Sequence, residues 1–257
     1  MKIKTLLIIS LQLGILSPIY AQYVRFPFNG VIEYDRSVNM YAVIKKLGTE
    51  ANSSYFTQAF DAYKKNQPQF KVSKSTLSFS KDKSLYSPVE ETTSGNSFFD
   101  LAQAKQVNTT YTDFATGTSV TQKNVYEELF LVKDSVRKIN WKITTETREI
   151  AGYQCRRANA LIMDSIYVVA FYTDQIPVSG GPESFGGLPG MILGLALPHE
   201  NMTWFATKVT DRAVTPKELY IPVKGKPVDN KGLMNVLGKA FKNWGSEAQS
   251  NLKAFTL

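Results

Sequence analysis

Cysteine and histidine are nearly missing from this chain of 257 residues, which holds one of each, Cys155 and His199. A single thiol excludes an internal disulfide, so stability has to come from a packed core. One histidine and one cysteine cannot furnish the usual zinc ligand sets, and neither a metal nor a cofactor is expected. The phosphate-cradling patterns G-x-x-x-x-G-K-[ST] and G-x-G-x-x-G are absent, as is the G-x-S-x-G elbow that presents a catalytic serine. Long apolar runs are missing too. The run from Leu6 to Leu16 falls short of the ~20 residues that cross a bilayer, so no transmembrane span is expected. Acids are fewer than bases, 22 against 30, giving a net charge of +8.

What is present begins at the N-terminus. Lys2 and Lys4 precede that apolar run, and "SPIYA" then places the small residue Ala21 before Gln22. This order of charge, apolar stretch and small residue is that of a secretory signal peptide, residues 1–21. The remaining 22–257 are expected to form a single β-rich domain, exported to a periplasm or an outer membrane. Removing the leader takes away two lysines and no acid, which lowers the net charge from +8 to +6. The basic residues occur in short pairs, Lys45-Lys46, Lys64-Lys65 and Arg156-Arg157. They read as solvated surface, with no nucleic-acid partner, although peripheral contact with an anionic membrane surface is compatible with them. Asn52, Asn108 and Asn201 stand in Asn-x-Ser/Thr triplets, which a Ser/Thr-rich chain reaches by chance.

Period-two alternation with turn residues between the runs predicts an antiparallel meander: a mainly β fold, a curved sheet of half-barrel or sandwich type with one or two covering helices. "VIEYDRSVNM", "FKVSKSTLSFS" with Val72, Leu77 and Phe79, and "VNTTYTDFATGTSVTQKNVYEELFLV" read as strands. So do "VRKINWKIT", which turns Trp141 toward the core, and "YQCRRANALIM", "SIYVVAFYT", "GMILGLAL" and "MTWFATKVTD". Two stretches have helical spacing. Tyr55, Phe56, Ala59, Phe60 and Tyr63 form one stripe, and Leu233, Met234, Val236, Leu237, Ala240, Phe241 and Trp244 form another, with Asp229 or Asn230 to start it and Gly245 to end it. Each stripe is wide enough to cover the sheet. The second, with Lys239 and Lys242 opposite, would otherwise suit a membrane interface.

The densest punctuation is "ESFGGLPGMILGL", residues 183–195. In Leu188-Pro189-Gly190-Met191 proline presets φ and glycine supplies a positive φ, which predicts a type II turn. "MILGLAL" is apolar at nearly every position, as a strand buried on both faces would be. Gly181, Pro182, Phe185, Gly186, Gly187, Leu188, Pro189 and Gly190 therefore form either a structural corner or a loop that lines a pocket or touches a partner.

"AFYTDQIPVSGGPESFGGLPGMILGL" is similar to the signature region of the GLPGLI family, whose motif here reads "GLPGMI". "INWKITTETREIAGYQCRRANA" resembles the same family's upstream block, a Trp followed by I-x-G-Y-x-C-x-x-A, at Trp141, Gly152, Tyr153 and Cys155. Met191 replaces the usual leucine, a swap that conserves volume. Membership implies an exported protein of a Gram-negative bacterium. It carries no activity and no residue roles.

Catalysis finds little support in the sequence, so no enzyme is expected. His199 follows a proline in "LPHEN", and Cys155 lies in an alternating strand where it packs as a small hydrophobe. Asp174, Glu183 and Glu200 are near one another in sequence, and two carboxylates are all a glycosidase-type hydrolase needs, which makes this a minor alternative. The leading expectation is a binder of a hydrophobic ligand, a lipid, acyl chain or apolar peptide, in a cavity of the curved sheet. The alternative is an accessory protein of an outer-membrane complex that meets an envelope partner through the Gly-Pro loop. Export has its own test: protein from the envelope fraction should begin at Gln22 by mass spectrometry, and retention of residues 1–21 there would contradict a cleaved signal.

Overall fold

The computed structural model describes residues 26–48, 53–89, 101–105, 108–245 and 247–257, so the signal peptide expected over 1–21 lies outside the described residues. Among these, twelve strands make one sheet. They are β1 (Gly30–Asn39), β2 (Phe70–Phe79), β3 (Lys83–Pro88), β4 (Asn108–Asp113), β5 (Thr118–Val125), β6 (Glu128–Ser135), β7 (Lys142–Ile150), β8 (Tyr153–Ile162), β9 (Ile166–Thr173), β10 (Met191–Leu197), β11 (Met202–Asp211) and β12 (Lys226–Val228). Their order across the sheet is β12-β6-β5-β4-β3-β2-β1-β11-β10-β9-β8-β7. Two meanders, β1 to β6 and β7 to β11, are thus fused along the antiparallel β1–β11 pair. The fold is mainly β, and the expected antiparallel pairing holds except at one edge, where β12 runs parallel to β6.

Alternation sets the core. Ile32, Tyr34 and Val38 of β1 and Leu77 and Phe79 of β2 are buried on one face. Val72, of opposite parity to Leu77, is 47% exposed. "MILGLAL" is buried at nearly every position, and the far end of the sheet explains why. Arg148 of β7 sits over Phe171 of β9 and Phe205 of β11, 5.8 and 5.0 Å from their ring centres. The edge strand therefore leans across the face of β9 to β11, which encloses β10 from that side. Ala151 and Gly152, both with positive φ, form the two-residue turn from β7 to β8.

Residues 136–141 correct the strand expected over "VRKINWKIT". β6 ends at Ser135 and β7 begins at Lys142, and between them the chain crosses from one side of the sheet to the other. Ile139 and Trp141 still pack on the core, so their alternation reports an extended, half-buried crossing that lacks ladder bonds.

The helices also differ in detail from the sequence reading. The end of "VIEYDRSVNM" turns into α1 (Met40–Lys45), capped by the Asn39 side chain. In α2 (Ser53–Asn66), Phe56, Ala59, Phe60 and Tyr63 pack against the core while Tyr55 is 65% exposed. A short α3 (Ala102–Lys105) follows. In α4 (Asn230–Ala240), Asp229 is the cap, its carboxylate accepting from the Gly232 N–H at 2.6 Å. Leu233, Leu237 and Phe241 are buried against Val125, Phe130 and Val132, whereas Met234 and Trp244 point outward. The apolar face of α4 thus meets the sheet. An unexpected α5 (Glu247–Thr256) completes this second core with Phe255.

The connection from β9 to β10, residues 174–190, folds back on itself. Gly190 N–H donates to Leu188 O at 2.8 Å and Met191 N–H to Ile176 O at 3.0 Å. The bond that would close a type II turn, from Met191 to Leu188, is replaced by one across the connection, which corrects the turn assignment. Glycine is needed at 190 for a different reason: at φ 154° an added Cβ would lie 2.1 Å from Thr173 O, a backbone atom of the adjacent strand. Gly190→Ala is therefore expected to lower the unfolding free energy by on the order of 2 kcal/mol, as a strained backbone site does. A chemical-denaturation midpoint equal to the parent's would contradict this close approach.

Candidate functional site

The same connection carries a carboxylate into the interior. Phe185 N–H donates to Pro182 O at 3.1 Å, and Glu183 at the first central position of this turn has φ 55°, unusual for a residue with a side chain. The turn directs Glu183 inward, where it is 7% exposed. Asn108 Nδ2, on β4, donates to its Oε2 at 2.9 Å. Arg36 of β1, Lys123 of β5 and Arg137 of the crossing segment all act electrostatically on it. Burial raises the Glu183 pKa, and these cations and Asn108 oppose that rise. Burial also lowers the Lys123 pKa from 10.5 to about 8, against the pull of Glu183. Desolvation, the larger cause in both cases, disfavours the charged form.

The end of α5 supplies what one carboxylate cannot. Lys123 Nζ donates to Phe255 O at 2.7 Å, Arg137 Nη2 to Thr256 O at 2.6 Å and Ser184 Oγ to Leu257 O at 3.2 Å. The last carbonyls of a helix lack intrahelical partners and carry the negative end of its dipole. A buried lysine and a half-buried arginine answer that need. Arg36 stacks over the Trp204 ring, 5.4 Å from its centre, and donates to Gln103 O in α3. Gln103 in turn donates to the Ser250 hydroxyl of α5. Lys253 of α5 pairs with Glu200 at 3.3 Å. One cluster therefore ties β1, β4, β5, the crossing segment, the Gly-Pro connection and α5 together.

The motif residues fall on two sides of this wall. Gly181, Pro182, Phe185, Gly186, Leu188 and Gly190 are buried, Phe185 with its ring 6.5 Å from that of Trp204. Gly187 and Pro189 are exposed. Trp141 fastens the connection from outside, its Nε1–H donating to Gly186 O at 2.9 Å. Gly152 belongs to the hairpin turn, and Tyr153 is half-buried beside it. Cys155 is a free, buried thiol whose pKa burial pushes up to about 12, which keeps it protonated and unreactive.

The carboxylates weighed for hydrolysis go different ways. Asp174 is exposed at the end of β9, Glu200 is taken by Lys253, and Glu183 faces cations. His199 is exposed, its ring 6.5 Å from Tyr167. Among the described residues no three of His, Cys, Asp and Glu converge as metal ligands. Sequence reasoning missed Arg36, Asn108, Lys123, Arg137 and Trp204 as a group. A signal for two of them existed: Arg36 has the inward parity of Tyr34 and Val38, and Lys123 that of Val125. Asn108 of the Asn-Thr-Thr triplet is 4% exposed and bonded to Glu183, so it is part of the interior.

A family model described as "Protein of unknown function (Porph_ging)" matches residues 161–194, from the end of β8 through the whole connection to β10. Among solved structures, the chain is similar to PNGF-II in a C2 crystal form, at 16% identity and a TM-score of 0.50, covering 78% of this chain and 31% of that one. PNGF-II in a P21 form is similar at 18% identity and a TM-score of 0.48, with the same coverage. The chain thus spans about a third of the length of these proteins, and at such identity the likeness is one of fold. No curated protein matches the sequence.

The cluster has a pH signature. Between pH 8 and 10.5 the unfolded chain holds the Lys123 proton and the folded chain has released it, so stability rises with pH across that window. The unfolding free energy of the parent relative to Lys123→Met should climb from about pH 8 to 10.5 and be level outside it. A difference that stays constant through the window would contradict a buried, depressed lysine.

Proposed function

We propose that the chain is a non-enzymatic, exported protein of a Gram-negative cell envelope that works by contacting a protein partner through the outer rim of the Gly-Pro connection. The observation that carries this reading is the two-sidedness of the connection. Its inner side is filled by Phe185, Leu188 and Trp204, each 2% exposed. Its outer side presents Gly187 and Pro189, flanked by Trp141 at the end of the crossing segment, just before the edge strand β7. A pocket for a lipid or drug-sized molecule takes several hundred Å³, roughly 300 or more. The cavity beside this connection, between Arg36, Glu183 and Trp204, has about 10 Å³. Packing of the loop's apolar residues therefore favours the partner reading over a hydrophobic ligand held behind the loop.

Further support comes from the outer rim's rigidity, since Trp141 and the buried cluster hold it from both sides and little ordering entropy is left to lose on association. The resemblance to GLPGLI proteins and the leader-like N-terminus support export. The surplus of basic residues favours a partner with an acidic face. A photo-crosslinking side chain at position 189 should yield a discrete protein adduct in intact cells, lost on Gly187→Asp, while the same probe at exposed Val223 yields none. No adduct at 189, together with stoichiometric lipid on the purified protein by native mass spectrometry, would overturn this reading in favour of the ligand binder.

A further inference from the structure

Three side chains of the buried cluster form a set that charge balance alone does not require. Asn108 of β4 and Lys123 of β5 stand directly opposite one another in the antiparallel ladder, so both side chains leave the same face of the sheet with Cβ atoms about 4.5–5.5 Å apart. Both are interior, at 4% and 5% exposure, as is Glu183 at 7%. Glu183 Oε2 accepts from Asn108 Nδ2 at 2.9 Å, and Lys123 acts electrostatically on the same carboxylate. An amine, a carboxamide and a carboxyl group held together away from bulk water are the reactants and the proton carrier of a transamidation. Burial, and to a smaller extent Arg137, lowers the Lys123 pKa to about 8, while burial raises that of Glu183. The neutral amine, which is the nucleophilic form, and the protonated acid both come within reach near neutral pH.

We propose that Lys123 and Asn108 form an intramolecular amide cross-link, from Nζ to Cγ, with Glu183 as the proton carrier. The Nζ lone pair attacks Asn108 Cγ, Glu183 takes a proton from Nζ and delivers it to Nδ2, the Cγ–Nδ2 bond breaks and one ammonia leaves. The carboxyl group ends as it began, and the balance needs no oxidant or co-reactant. Nδ2, the departing nitrogen, is the atom hydrogen-bonded to Glu183, so the proton is offered where the leaving group needs it. The bond from Nζ to Phe255 O, at 2.7 Å, uses an N–H and leaves the lone pair of the neutral amine for the attack. The cross-link closes the β4–β5 hairpin covalently in a chain whose single cysteine cannot form an internal disulfide. A cross-linked Lys123 no longer titrates, so the rise in stability above about pH 8 belongs to chains in which the bond has not formed. In Glu183→Gln the bond cannot form and Lys123 stays a cation.

The experiment digests the full chain, purified in its folded form, with trypsin under denaturing conditions and sequences the fragments by mass spectrometry. The segment from 106 to 133 has one internal cleavage point, after Lys123. The parent should give this segment as one piece, uncut at Lys123 and lighter by one ammonia than its sequence, because an acylated lysine is not a trypsin site. Asn108→Ala and Glu183→Gln should each give separate pieces, 106–123 and 124–133, with no ammonia lost. Reading the fragment keeps this loss apart from the one that cyclisation of an N-terminal Gln22 causes. Near-ultraviolet circular dichroism of Glu183→Gln that matches the parent's ties the missing bond to the lost carboxyl group and not to a lost fold. A parent cut after Lys123, with both pieces at full mass, would overturn the cross-link whether or not either variant folds. An uncut, lightened piece from Glu183→Gln would overturn the role of Glu183 as proton carrier.

Discussion

A carboxylate buried among three cations constrains everything around it. Glu183 cannot be withdrawn from the neighbourhood of Arg36, Lys123 and Arg137 without leaving those charges in a low-dielectric interior with no carboxylate to oppose them. The backbone accepts φ 55° at Glu183 to keep the side chain there. Each cation then makes a different demand. Arg36 has to lie on the inward face of β1, Lys123 on that of β5, and Arg137 in the stretch that crosses between the meanders. The C-terminal helix answers the remaining charge by ending its carbonyls on Lys123 and Arg137. Charge, not apolar area alone, therefore fixes where α5 docks.

This arrangement gives the glycines and prolines a coherent role. Gly190 permits the approach to Thr173, the turn at 182–185 aims Glu183 inward, and Trp141 clamps Gly186 from the outer side. The connection is a rigid wall with one face committed to the interior and one face, at Gly187 and Pro189, open. A rigid open rim is a surface that can be recognised, which is how structure and the proposed partner function connect. The segment matched by the family of unknown function, residues 161–194, contains this wall and its carboxylate.

Much of the sheet was legible because alternation is local. Ile32, Tyr34 and Val38, or Leu77 and Phe79, announce their face through their neighbours. The double burial of "MILGLAL" was also readable, since no polar residue interrupts it. What could not be read depends on distant partners. The alternation through Ile139 and Trp141 has the period of a strand, yet its bonding partners are Gly186 and the core. The helix α5 has a weak apolar stripe, and its docking rests on Lys123 and Arg137, more than a hundred residues away. The sequence marks Gly190 as a positive-φ position in a turn, but the clash with Thr173 O depends on how the connection folds back. The cluster itself was hidden because charged residues in alternating strands read as solvent-facing unless their parity is followed strictly.

The central claim is that Glu183 holds the cationic cluster together and, through it, α5. Hydrogen exchange on Glu183→Gln addresses this directly, since the amide keeps the size and a bond to Asn108 while removing the charge. Three cations left without their carboxylate would be relieved most cheaply by admitting water, and α5 is the element that covers them. Amides of α5 should lose protection well before those of β9 and β10 do. Protection that falls equally in α5 and in the central strands, or does not fall at all, would contradict the account.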